Sequence, residues 1–302
     1  MSYPIPMLPA TAHDEVLLVC TCYREGAPQW DEVLRFLGSR GGGETILLDD
    51  GGVRLRPTQN PGWDFLHAGN FPALAPQGAA TPPVVVLVDI PAVYGKDAVM
   101  LVDLREIPGR GVRVPADGLG RVLAGLLDGR LRFDDLVRGM DRYGRYLGDG
   151  GAPATATPTT VTTVTRTSFP QLPAVESTVL VRTDFADEQG WRALVEALGT
   201  DDEDDAWPDA GSYDAPMLRA VVVDDRAFEQ LQPGQVPALV PPDEHTTMVA
   251  LADAATMADP AFPLLVVDLY DTPGQVTRIP LAEAGPMAVN LEISNMDFAD
   301  FV

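Results

Sequence analysis

Two apolar runs in the first half of the chain, residues 16–21 (VLLVCT) and 84–88 (VVVLV), hold aliphatic and β-branched residues with no polar alternation. Runs of this length and composition predict strands covered on both faces, as in the parallel part of an α/β sheet. Between them the period changes. Trp30, Val33, Leu34 and Leu37 recur at helical spacing, and the stretch stops at Gly38, a residue suited to the positive φ that ends a helix. A second strand is expected over 53–56, a short helical turn around Trp63, and a third strand over 84–89. A hairpin follows, with arms 100–105 and 111–114 joined through Pro108-Gly109, and then a helical region around Phe133.

The second half repeats this order. Strands are predicted at 178–183, 219–223 and 248–252, a helix through Trp191, Leu194, Val195 and Leu198 stops at Gly199, and a turn carries Phe228. Hairpin arms 264–270 and 275–279 precede a last helical region at Phe298. The likeness extends to identity: LVDLREIPGRGVRVP, beginning at Leu101, returns without a gap as VVDLYDTPGQVTRIP, beginning at Val266. FPALAP from Phe71 is echoed by VPALVP from Val236. The chain is an internal duplication, and the expected fold class is α/β: two homologous domains, each a mixed sheet of about five strands with flanking helices and a C-terminal hairpin plus helix. The first repeat is placed at 13–145 and the second at 175–302. The Gly, Ala, Pro and Thr-rich stretch between them, 146–174, is read as an extended linker, with a crossing strand as the competing reading.

At 302 residues each copy has room for its own core, and a repeat this long is not a solenoid unit. No apolar run reaches the roughly 18 residues of a membrane span, and MSYPIPMLPATAHDE lacks the basic start and apolar centre of a signal peptide. A cytoplasmic protein with reduced thiols at Cys20 and Cys22 is therefore expected. Charge separates the copies. Residues 1–150 hold 19 acids and 15 basic residues, net −4, whereas residues 151–302 hold 25 acids and 6 arginines, net −19. The second half adds the run Asp201, Asp202, Glu203, Asp204 and Asp205, read either as a solvated loop or as a landing surface for a basic protein. A field of this sign disfavours direct contact with nucleic acid or an anionic membrane.

Candidate chemistry is sparse. The chain has no GxSxG elbow, no phosphate-cradling GxxxxGK[ST] loop, no HExxH and no CxxC. The triple glycine at Gly41, Gly42 and Gly43 lacks the helix start or lysine of a phosphate loop. His13, His67 and His245 occupy no matching positions, which excludes a duplicated histidine site; His245 beside Asp243 and Glu244 reads as a solvated loop before it reads as a metal ligand. No metal or other cofactor is implied. The polar residues kept in both copies are Asp103 with Arg113 and Asp268 with Arg278, ten apart on opposite hairpin arms. A three-residue connection would set them directly opposite each other, as a register-fixing ion pair or as a fork for a polar ligand. Asp89 and Asp253, at the ends of the third strands, read as turn or cap acids.

The second copy resembles an uncharacterised domain of actinobacterial proteins. The likeness is carried by STVLVRTDFADEQGWRALVEAL, HTTMVALAD, PLLVVDLYDTPG and the ending NLEISNMDFADFV, and Asn295-Met296-Asp297-Phe298 is its most specific element. The first copy departs there, with Arg130-Leu131-Arg132-Phe133. The resemblance implies no activity, substrate or partner. Two functions are compatible with these observations. One is a non-enzymatic acidic binding module, immunity- or inhibitor-like, that meets a basic protein. The other is a small-ligand or enzymatic domain with a polar site drawn from Asp268, Arg278, Asp253, Tyr270, Asn295 and Asp297. In either case the two repeats can pack on each other.

Overall fold

The computed structural model describes residues 5–39, 45–48, 52–76, 82–148, 169–175, 177–199, 218–241 and 246–302. The acidic run 201–205, the triple glycine, His245 and residues 149–168 of the expected linker lie outside these residues.

In the first repeat β1 (Glu15–Cys20) leads into α1 (Tyr23–Phe36), then β2 (Ile46–Leu48) and β3 (Val53–Thr58). After α2 (Phe71–Leu74) come β4 (Val84–Val88), α3 (Ile90–Gly95), the hairpin β5 (Ala98–Asp103) and β6 (Gly111–Pro115), α4 (Leu119–Asp128) and α5 (Phe133–Arg138). The six strands lie in the order β2-β3-β1-β4-β5-β6. β1 runs parallel to both β3 and β4, and the remaining pairs are antiparallel.

The second repeat holds β7 (Thr178–Arg182), α6 (Glu188–Leu198), β8 (Ala220–Val223), β9 (Met248–Ala252), α7 (Ala254–Ala258), β10 (Leu264–Asp268), β11 (Val276–Ile279) and α8 (Leu281–Glu292). Its order, β11-β10-β9-β7-β8, has the same central pattern, with β7 parallel to β8 and β9. The expected mixed sheets are present. The first carries one strand more than anticipated, because the short ILL segment of β2 pairs antiparallel with the outer edge of β3.

Both sheets are buried on two faces, which is why their central strands are apolar without alternation. On one face of the first sheet Trp30, Val33, Leu119, Leu123 and Phe133 pack from the helices. On the other, Trp63, Leu66, Phe71 and Leu74 pack with Leu8 of the N-terminal segment. The second sheet repeats this with Trp191, Leu194, Met287 and Phe298 on its helical face and Phe228, Leu231 and Val236 on the other. Trp63 and Phe228 sit in matching 3-10 turns, Pro61–Trp63 and Arg226–Phe228, each started by a side chain that accepts from a backbone N–H, Asn60 or Asp225. Gly38 and Gly199, expected at helix ends, take φ of +96° and +83°. Among the described residues no helix is long and apolar enough to cross a membrane.

Candidate functional site

The hairpin acids do not face the hairpin arginines. The register pairs Arg113 with Met100 and Arg278 with Leu265, three positions from the expected partners. The connection is longer than three residues and is built by the acid itself. Asp103 accepts the backbone N–H groups of Arg105 (2.8 Å), Glu106 (3.1 Å) and Ile107. Asp268 does the same for Tyr270 (2.8 Å), Asp271 (3.2 Å) and Thr272. Both acids are almost completely buried, so their preservation follows from the turn they hold. In both turns the carboxylate oxygens are engaged by these backbone N–H groups.

The arginines reach instead to the acids at the ends of the third strands. Arg113 forks onto Asp89 at 3.2 and 2.8 Å, and Arg278 onto Asp253 at 3.1 and 2.6 Å. Asp89 and Asp253 also cap α3 and α7 by accepting from Ala92 and Thr256, as cap acids should. The two pairs differ in burial: the side chain of Arg113 is 13% exposed and that of Arg278 is 34% exposed. Arg113→Ala, which strands a half-buried carboxylate, is expected to cost about 3 kcal/mol. The more solvated Arg278→Ala should cost about 1 kcal/mol or less. Urea denaturation of both variants checks the contrast, and equal losses would contradict it.

Homologous segments of the two repeats meet each other, as the two sides of a two-fold contact do. The 3-10 turn Ala68–Asn70 packs against its counterpart Pro233–Leu239, and Asn70 donates to the Pro241 carbonyl at 2.9 Å. The two hairpin turns also touch: Gly111 N–H donates to the Pro273 carbonyl at 3.0 Å. Arg110, 1% exposed, enters the second repeat, donates to the same carbonyl at 3.2 Å and faces Asp268. Its Nη2 is buried without a hydrogen-bond partner. Thr272 and Gln275 return hydrogen bonds to the carbonyls of Tyr143 and Arg142.

Burial, and after it the charge of Asp271, pushes the Asp268 pKa up from 3.8 to about 7, against its three backbone donors. An acid whose folded value lies above its unfolded one binds more protons when folded. Its contribution to stability is full below about pH 4 and is lost as pH rises through about 7. Urea midpoints are therefore expected to carry a component that falls between about pH 4 and pH 7, and Asp268→Asn should flatten it. A component unchanged in that variant would assign the effect to another group.

Beside this interface lies a cleft of about 370 Å³ with walls from both repeats. Thr21 and Asp89 place its floor at the carboxyl ends of β1 and β4. There the chain leaves β1 toward β3 on one side and reaches β4 on the other, the switch point where open α/β sheets bind ligands. His67 and Phe65 line one side, and Thr247, Tyr270, Glu292 and Ser294 come from the second repeat. His67 and Tyr270 meet edge to face, ring centroids 5.1 Å apart. A smaller pocket shares Thr247, Tyr270 and Ser294 with the cleft and continues to Asp268, Asp271 and Asp297.

Of the residues singled out in the sequence, Asp268, Tyr270 and Asp297 therefore come together, while Asp253 and Arg278 pair with each other elsewhere. Asn295 is bound to Asn290 and lines neither cavity. Cys20 and Cys22 are free and buried in the helical-face core. Sequence reasoning misses Thr21, Phe65, His67, Thr247, Glu292 and Ser294. A search for residues shared by both copies passes over His67, because the second copy has Gln232 at the matching place. A cleft that forms once, between unlike copies, needs no matching residue, so that filter removes the residues that could build it.

Fold and interface define a class, a tandem pair of α/β repeats that meet through homologous turns and wall one cleft between them. The chain belongs to the family described as Domain of unknown function (DUF6924), whose model matches residues 15–149 and again 177–302. No curated protein and no solved structure matches it.

Proposed function

We propose that the paired repeats are a small-ligand-binding protein and that the cleft between them is the site. The observation that supports this is the presence of Phe65 and Tyr270, each about two-fifths exposed, on the walls of a concave cleft at a strand switch point. Apolar walls with a few convergent polar groups are the usual make-up of such sites. Binding is favoured over catalysis, because the acid with the most displaced pKa, Asp268, is taken up by its own turn and by Arg110. A thermal-shift screen of the full chain against a metabolite collection tests the reading. Compounds that raise the melting temperature of the wild type, but not of Tyr270→Ala or Phe65→Ala, support it. An empty screen, or compounds indifferent to both substitutions, counts against it.

A second reading rests on the net charge of −19 in residues 151–302: an acidic module that meets a basic protein, in the cytoplasm. It is favoured if the full chain retains a basic partner from lysate at low salt and releases it at high salt, with retention lost when Asp201, Asp202, Asp204 and Asp205 are changed to Asn and Glu203 to Gln.

A further inference from the structure

Given a ligand in the cleft between the repeats, as proposed above, its chemical class follows from the walls. The lining side chains that carry formal charge are Asp89 and Glu292, and no lysine or arginine lines the cleft among the described residues. Asp89 is already matched by Arg113. Glu292 lies at the C-terminal end of α8, where the helix dipole supplies no positive charge to balance it. Asp268, Asp271 and Asp297 lie at the far side of Tyr270, in the adjoining pocket. Arg113 extends toward this group and donates to the Asp271 carbonyl at 3.4 Å, and Arg110 faces Asp268 from the opposite side. Five carboxyl groups thus lie near two guanidinium groups, Arg113 forked onto Asp89 and Arg110 buried against Asp268, and His67. The pKa values of Asp268 and Asp271 are raised, chiefly by burial and further by neighbouring carboxylates, and that of the more exposed Glu292 is raised by partial loss of solvent. That is the response expected of carboxyl groups drawn away from water.

Acidity alone would not define a ligand, but here it borders a formed cavity with aromatic walls. Phe65 and Tyr270 come from different repeats, are partly exposed and line the cleft, while Leu66, Ile90 and Leu291 complete an apolar floor. Aromatic faces beside carboxylates are the surroundings that hold an ammonium group with an apolar body. An anion would meet Glu292 with no lysine or arginine in the lining to receive it, and a neutral ligand would leave the Glu292 charge unmatched.

We propose that the cleft binds a small organic cation, a primary or quaternary ammonium on an aromatic or aliphatic body, with the apolar part between Phe65 and Tyr270 and the charged end toward Glu292. A size-matched series tests this directly: calorimetric titration of the full chain at neutral pH with 2-phenylethylamine, 2-phenylethanol and phenylacetate. The amine is expected to bind about 10-fold tighter than the alcohol, and the acid weakest. Glu292→Gln, at an exposed position, should bring the roughly 10-fold ratio of amine to alcohol affinity close to 1, and Tyr270→Ala should weaken both. Equal affinity for amine and alcohol, or a preference that survives Glu292→Gln, overturns the cationic class but leaves the cleft as a ligand site. Preference for the acid overturns the class outright. If none of the three binds, the cationic class falls, and an empty metabolite screen would then remove the ligand-site reading with it.

Discussion

Arg110→Ala is expected to lower the stability of the folded pair by about 3–5 kcal/mol, the range for removing one partner of a buried charge pair. The side chain is almost wholly inside the protein, belongs to the first repeat and spends its hydrogen bond and charge on the second, at Pro273 and Asp268. Truncation leaves a cavity where Gly274 now approaches the guanidinium and leaves Asp268 buried beside Asp271, with only the Asp89-bound Arg113 acting on it. The pair itself is not an efficient source of stability. Burial already lowers the Arg110 pKa to about 10, and Nη2 has no hydrogen-bond partner. Arg110→Met, which keeps the volume and drops the charge, is therefore expected within about 1 kcal/mol of wild type, with Asp268 protonated in compensation. Urea denaturation gives both numbers. A loss below about 1 kcal/mol for the alanine variant would show that the arginine does not support Asp268.

The second large effect is expected at Gly109. Its φ is +89°, and an added Cβ would stand 2.8 Å from the Pro237 side chain and 2.9 Å from the Ala238 nitrogen, both in the other repeat. Gly109→Ala combines backbone strain of about 1–2 kcal/mol with overpacking of about 1–3 kcal/mol. Because the obstruction is across the interface, the repeats should also separate, visible as a larger radius of gyration in solution scattering. Gly129 is the control. It has φ of +76°, but a Cβ added there would meet nothing within 4 Å, and the matching position in the second repeat is Ser294 at φ +54°. Gly129→Asn should cost no more than about 1 kcal/mol and leave the dimensions unchanged. If Gly109→Ala behaves like Gly129→Asn, the contact with Pro237 does not hold the repeats together.

The repeat made most of the fold readable. Each apolar run could be checked against a partner, so the buried strands, the helices ending at Gly38 and Gly199 and the two hairpins fell where patterning put them. Two features were hidden for physical reasons. The hairpin register depends on loop length, and side-chain acceptance by Asp103 and Asp268 supports a longer loop than the Pro-Gly pair suggests. β2 is three residues long, below the length at which alternation is informative. The cleft was legible only in part. Tyr270, Asp268 and Asp297 stand out within one repeat, but the opposite wall, with Phe65 and His67, comes from elements with no local sequence signal of their own. Which turns of one copy press on those of the other is a tertiary outcome that neither copy encodes alone.

The contact between homologous turns has an evolutionary corollary. In a symmetric pair of separate chains every substitution is felt twice, so a side chain that improves one cavity alters its twin by the same step. Joining the halves in one polypeptide releases that coupling. His67 faces Tyr270, while at the corresponding places the halves carry Gln232 and Arg105. Covalent linkage thus allows one half to supply a wall while the other changes its charge, and it lets a single mutation tune one recess without touching its mirror position.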